Sequence, residues 1–193
     1  MKLTNRQQRL FDFVKWYHAS QLRKYTGDPY WTHLFSVADI ASKYKIKFGT
    51  EISLCHDLLE DTECTYNQLV DFLFHLRYPA VDAVFIGNSV HELTDQYTHY
   101  KYPNMNREAR KHAEAERLIG ISANSQSVKY ADIIDNTSSI VQYDPGFAAI
   151  YLPEIGKIIY RMNKGVPVLY ARCVETYEKA CESLKINPHV QSV

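Results

Sequence analysis

No run of about 18 apolar residues occurs in the 193-residue chain, so no membrane-spanning helix is expected. The start, Met1-Lys2-Leu3-Thr4-Asn5-Arg6, carries charge with no apolar stretch behind it, and no secretory signal is read there. Neither sign of charge dominates. The 22 basic and 22 acidic side chains leave a formal net charge of zero, without the basic stripe that nucleic-acid binding by bulk electrostatics needs. The four cysteines, Cys55, Cys64, Cys173 and Cys181, form no CxxC pair, and two of them lie in apolar helical context. They read as reduced, structural thiols, and a cytoplasmic protein is expected. GxGxxG and GxxxxGK[ST] are absent, as are internal repeats, low-complexity tracts and segments alternating at the period of a strand. These absences leave an all-α class, and the length suits one globular domain over 1–193.

What is present is a succession of helical patterns. Thr4 to Gln7 reads as a capping box opening a helix to about Leu22, with Leu10, Phe13, Val14 and Tyr17 on one side. Thr26-Gly27-Asp28-Pro29 then makes a turn. A second helix is expected from about His33 to Lys43, and a third from about Thr50 to Leu59. Thr65 to Gln68 is another capping box, and Pro79 starts a helix over about 80–93. Residues 96–105 hold Pro103 and several of the fifteen tyrosines, and read as a loop with an aromatic surface beside a binding site. Asn106 caps a charged helix whose Arg107, Arg110, Lys111 and Arg117 are expected to form a solvated face. A further helix covers about 125–140, and two closing helices occupy about 147–186, the last with Val168, Ala171, Val174, Tyr177 and Cys181 inward.

One octapeptide is unlike the rest: Cys55-His56-Asp57-Leu58-Leu59-Glu60-Asp61-Thr62. Wound as a helix at about 100° per residue, it gathers His56, Asp57, Glu60 and Asp61 into an arc of roughly 140°. Three carboxylates and an imidazole that close repel one another unless a cation sits among them. The same residues are also what a solvated acidic helix face looks like, so the octapeptide alone leaves both readings open. His33 alone suits a cap or a core histidine, and Asp132 alone suits a hydrogen-bonded carboxylate. The joint order is more specific: a His at a turn-to-helix entry, His-Asp on a helix, and a distant Asp in an apolar helix. It supplies the three to four ligands that a catalytic divalent metal needs.

This ordered set resembles the HD-domain superfamily of metal-dependent phosphohydrolases, and within it the hydrolase domain of RelA/SpoT alarmone enzymes and the small stand-alone SpoT homologues. The likeness lies in Arg23 to Ala38 (RKYTGDPYWTHLFSVA), His56 to Thr62 (HDLLEDT) and Lys129 to Asn136 (KYADIIDN), with a weaker echo in Glu92-Leu93-Thr94. The motif-bearing part covers about 20–145. The resemblance implies an all-helical, single-domain HD bundle holding one manganese ion through His33, His56, Asp57 and Asp132. It also implies removal of the 3′-pyrophosphate of (p)ppGpp-type alarmones, the nucleotides of the stringent response. Glu60 and Asp61 are then the residues that position and deprotonate water, Arg23 and Lys24 substrate contacts, and Asn136 and Ser139 ribose or base contacts.

The expected partner is a small-molecule nucleotide, with no nucleic acid and no membrane. A chain of 193 residues has no room for a synthetase domain beside the hydrolase, so a stand-alone hydrolase is expected. The sequence departs from the family pattern at Leu34, where a Pro is usual, at Tyr25-Thr26, which lengthens the turn, and at Ile133 and Asp135. None of these touches the metal set. The competing readings are a phosphatase acting on NADPH or a nucleoside monophosphate, and a non-catalytic nucleotide-binding HD domain.

Overall fold

The computed structural model describes residues 1–188, so residues 189–193 of the expected domain lie outside the described residues. Its regular structure is helical: α1 (Asn5–Tyr17), α2 (Trp31–Ala41), α3 (Gly49–Cys55), α4 (Leu58–Asp61), α5 (Tyr66–His75), α6 (Ala80–Leu93), α7 (Arg107–Gly120), α8 (Ala123–Tyr143), α9 (Pro145–Ile159) and α10 (Pro167–Ser183). Among the described residues, extended pairing is limited to one isolated bridge between Leu22 and Pro29. None of these helices is long and apolar enough to cross a membrane. The chain divides into two compact units, Met1–Thr94 and the residues from Asp95 onward.

In the first unit α3 packs against α1, α2 and α6, while α5 pairs with α6. Ile52, Leu54 and Cys55 of α3 are fully buried, as are Leu34 and Val37 of α2 and Ile86 of α6. Burying each such aliphatic side chain contributes about 1.5–3 kcal/mol. Both expected capping boxes form, Thr4 with Gln7 and Thr65 with Gln68. Because the Thr65 hydroxyl accepts an otherwise orphaned N–H of α5, Thr65→Ala is expected to cost about 1 kcal/mol, read as a lower urea midpoint at unchanged slope.

Two boundaries differ from the expected ones. The first helix stops at Tyr17 and not near Leu22, because the backbone of the next residues bonds elsewhere. Arg23 N–H donates to Asp28 O at 2.7 Å, and Tyr30 N–H to Gln21 O at 2.9 Å, closing a hairpin-like turn. Gly27 sits in this turn at φ 74°, where a side chain would be strained. The helix expected over about 50–59 is broken into α3 and α4 by a turn at His56 and Asp57. Asp57 has φ −99° and ψ 0°, and its carbonyl accepts from Glu60 N–H at 3.2 Å and Asp61 N–H at 2.9 Å, which restarts the helix. Asp57 therefore sits in the sparsely populated bridge region that active-site residues often adopt.

In the second unit α8 packs on α9 and α10, and α7 on α9. Tyr130 of α8 is fully buried and donates its hydroxyl to Met162 O at 2.7 Å. A Cβ on Gly165 would come within 2.5 Å of the Tyr130 ring, so the close approach there needs glycine. The basic residues of α7 are laced to neighbours: Arg107 to Glu154 at 2.6 Å, Lys111 to Asp95 at 3.4 Å, Arg117 to Glu114 at 2.5 Å, and Arg110 to the Met105 carbonyl. The buried face of α10 is Leu169, Cys173, Tyr177, Ala180 and Cys181. Tyr177 and Cys181 were expected there, but Val168 is 70% exposed and Ala171 is also exposed. The competing stripe through Leu169 and Cys173 is the one that packs. All four cysteines are buried and free.

Candidate metal centre

Three sequence-predicted ligands meet in the first unit. His33 lies in the first turn of α2, His56 at the C-cap of α3, and Asp57 one residue on, in the turn before α4. One ligand atom from each lies within 4.8 Å of the others. His56 Nε2 is 3.0 Å from Asp57 Oδ2, and His33 Nε2 is 3.7 Å from the same oxygen. Both histidines are buried, while the Asp57 side chain keeps 19% exposure, so the cluster has a closed side and a wet side.

The fit to a divalent cation rests on protonation. His56 Nδ1 faces the Ser53 carbonyl at 2.8 Å, which can only accept, so Nδ1 carries a hydrogen and Nε2 is the ring atom turned toward Asp57. An Nε2 and a carboxylate oxygen 3.0 Å apart need a positive centre between or beside them, which a proton on the ring or a metal ion held by both supplies. A backbone carbonyl orienting the far ring nitrogen is also how metal-binding histidines are usually held. Asp57 Oδ2 additionally accepts from Tyr30 Oη at 2.7 Å. The donor set of two imidazoles and a carboxylate thus fits a divalent transition metal better than calcium.

Glu60 and Asp61 occupy α4, and both are exposed. They share the turn that follows Asp57 because the chain restarts its helix there. Asp61 Oδ2 accepts from Gln21 Nε2 at 3.0 Å. Arg23 and Lys24 lie in the hairpin-like turn that precedes α2, Arg23 half-buried and Lys24 exposed with its ammonium 5.7 Å from the centre of the Tyr25 ring.

Sequence reasoning missed His18. It is 1% exposed, its Nδ1 bonds Gln21 Oε1, and its ring stacks on Tyr30 at 5.2 Å. Burial holds its pKa below the ordinary histidine value, against the Gln21 hydrogen bond and the charges of Asp57 and Asp61. The available signal was His18 three residues before Gln21, a spacing at which side chains meet in a helical turn.

Asp132, Asn136 and Ser139 belong to the second unit, on α8. Asp132 is buried, with Oδ2 accepting from Lys129 Nζ at 2.7 Å and Oδ1 from Asn136 Nδ2 at 2.7 Å. Ser139 is half-buried on the same helix. Burial, and next the Asp132 charge, push the Tyr151 hydroxyl up. Ile133 is fully buried and Asp135 half-buried, so of these two departures only Asp135 is open to a ligand. In the loop over 96–105, Glu114 accepts from the backbone N–H groups of Gln96 at 2.8 Å and Tyr97 at 2.9 Å. Above that anchor Tyr97 stacks on Tyr102 at 4.9 Å, and Tyr100 is 93% exposed.

No protein-family model matches the chain. A solved structure of a metazoan ortholog of SpoT, described as hydrolysing ppGpp and playing a role in starvation responses, superposes with a TM-score of 0.73. It covers 93% of this chain and 97% of that one at 20% identity. The chain has the fold of a SpoT-type hydrolase. Two curated proteins carry a sequence likeness to this chain over 63 residues, or 32% of it. They are a "Probable GTP pyrophosphokinase" of Mycobacterium leprae at 43% identity and a guanosine-3′,5′-bis(diphosphate) 3′-pyrophosphohydrolase of Aquifex aeolicus at 41%. The matches cover 8% and 9% of those proteins' own lengths, so the chain spans only a small part of the curated relatives that it matches.

Proposed function

We propose that this chain is a manganese-dependent phosphohydrolase that removes pyrophosphate from the 3′ position of (p)ppGpp-type alarmones in the cytoplasm. The observation that carries the reading is the His33, His56 and Asp57 cluster, followed within one turn by Glu60 and Asp61, on a SpoT-type fold. His33, His56, Asp57 and Asp132 would hold the ion, and residues 1–193 would serve as one HD-type hydrolase domain. A divalent ion held so acidifies water and neutralises phosphate charge.

The remaining work falls to the side chains. Glu60 and Asp61 position the attacking water and take its proton, which passes to a carboxylate as the oxygen adds to the phosphorus on the ribose; the bond from that phosphorus to the 3′ oxygen breaks, pyrophosphate leaves, and the 3′ oxygen takes up a proton to become the hydroxyl. Arg23 and Lys24 bind the anionic pyrophosphate, Arg23 through a planar fork suited to phosphate and Lys24 as a point charge. Asn136 and Ser139 contact the ribose or base. None of the phosphate contacts reads the base edge, so discrimination rests on the helix around Asp132 to Ser139 and the tyrosine loop from Tyr97 to Tyr102.

A chromatographic screen with manganese over ppGpp, ppApp, NADPH and deoxynucleoside monophosphates tests this reading. The expected outcome is cleavage of ppGpp and ppApp, with a guanine preference in kcat/KM below about 10³-fold, or roughly 4 kcal/mol. Turnover of NADPH or the monophosphates with ppGpp untouched would replace the reading with a different phosphatase, and binding without turnover would make the chain a nucleotide-binding domain.

A further inference from the structure

We infer that His18 is a positioning residue that fixes the Asp61 carboxylate through Gln21. The inference rests on the reading of Asp61 as a residue that handles the attacking water.

The direction of each hydrogen bond follows from what each group can do. The Asp61 carboxylate only accepts, so the Gln21 nitrogen faces it, at 3.0 Å. The Gln21 oxygen then faces His18 and accepts from Nδ1, which therefore carries the hydrogen. Burial lowers the pKa of the ring, which disfavours a second proton on the buried Nε2.

Rigidity runs the same way. Asp61 is exposed on the four-residue helix α4, and Gln21 is a half-buried, flexible side chain, so neither is held by its own surroundings. His18 is. It is 1% exposed, and its ring lies 20° from parallel to that of Tyr30, whose hydroxyl donates to Asp57 Oδ2 at 2.7 Å. One imidazole thus braces the tyrosine on the ligand carboxylate with its face, and the glutamine on the water-handling carboxylate with its edge. A general base misplaced by a fraction of an ångström loses much of its effect, which is what a brace of this kind prevents.

A packing role alone would not select histidine. Phenylalanine would stack on Tyr30 equally well, whereas the imidazole carries Nε2 into the interior, where it meets no hydrogen-bond partner among the described residues. The polar edge that remains useful is Nδ1, and it points at Gln21.

The test compares the full-length chain with His18→Phe, Gln21→Leu and the double variant, in the wild-type and Asp61→Asn backgrounds. His18→Phe and Gln21→Leu are each expected to lower kcat by about 10-fold, with KM and the manganese dissociation constant within about two-fold of wild type. The melting temperature of His18→Phe should be unchanged or raised. The double variant should lose no more than either single one, neither change should matter once Asp61 is Asn, and His18→Asn, which restores an N–H donor near Nδ1, should recover part of kcat. Additive losses, or equal losses in the Asp61→Asn background, would overturn the inference. If the wild type turns over no nucleotide, the functional reading fails by itself, and the relay is judged on long-range ¹H–¹⁵N spectra of the metal-free protein. There an Nδ1–H tautomer at His18, with Gln21 amide signals that shift on Asp61→Asn, supports it. An Nε2–H tautomer or unmoved Gln21 signals refutes it.

Discussion

His56→Ala is expected to weaken manganese binding by at least about 100-fold, the upper end of what losing a merely supporting residue costs, and to take hydrolysis with it. The imidazole belongs to one of three candidate ligands within 4.8 Å of one another, and Ser53 O orients its ring through Nδ1. Without it the proposed set of four falls to His33, Asp57 and Asp132, and the ion loses one of its two imidazole donors. In the wild type, EDTA should abolish turnover and added manganese should restore it, while the same manganese should not rescue His56→Ala. Calorimetric titration of manganese alone reads the affinity independently of any substrate. Full activity in a chelated, metal-free preparation would sink the assignment of this cluster as the working site.

Glu60→Gln and Asp61→Asn are expected to lower kcat by about 10²-fold or more, as when a positioned proton acceptor is removed. Both substitutions keep shape and remove charge. Both residues are exposed, so unfolding free energies should stay within about 0.5 kcal/mol of wild type. Manganese affinity should persist, because the ligand atoms lie on other residues. That separation from His56→Ala is the useful contrast: one variant loses the ion, the other two keep it and lose chemistry. Normal hydrolysis by either carboxamide variant would return its residue to the solvated face of α4.

The helical class was legible because caps and apolar periodicity act locally: Thr4, Thr65 and Asn106 cap helices where their side chains predicted. The break at His56 and Asp57 was not legible. Leu54 and Leu58 keep a helical spacing across it, and the interruption resides in the backbone angles of Asp57. The carboxylates were therefore grouped for the wrong reason, since two short helices and a turn present them, not one continuous face. The register of α10 was misread because Val168 and Val174 are as apolar as Leu169 and Cys173, and only packing against its neighbours chooses between the stripes. His33, His56 and Asp57 were recognisable through their order along the chain, although nothing in the spacing of residues 33 and 56 says that their rings meet at 5.2 Å. His18 was overlooked since the first helix was read on to about Leu22, which made it one more helical residue, and its spacing to Gln21 takes on meaning only with Tyr30 and Asp61 around it.

Phosphorus NMR of ppGpp incubated with the chain and manganese tests the central claim most directly, because it reports which bond breaks. Attack at the 3′-pyrophosphate predicts pyrophosphate and GDP appearing together in equal amounts, with the 5′-diphosphate resonances retained and no orthophosphate. Stepwise release of orthophosphate, or loss of the 5′ resonances, would contradict it.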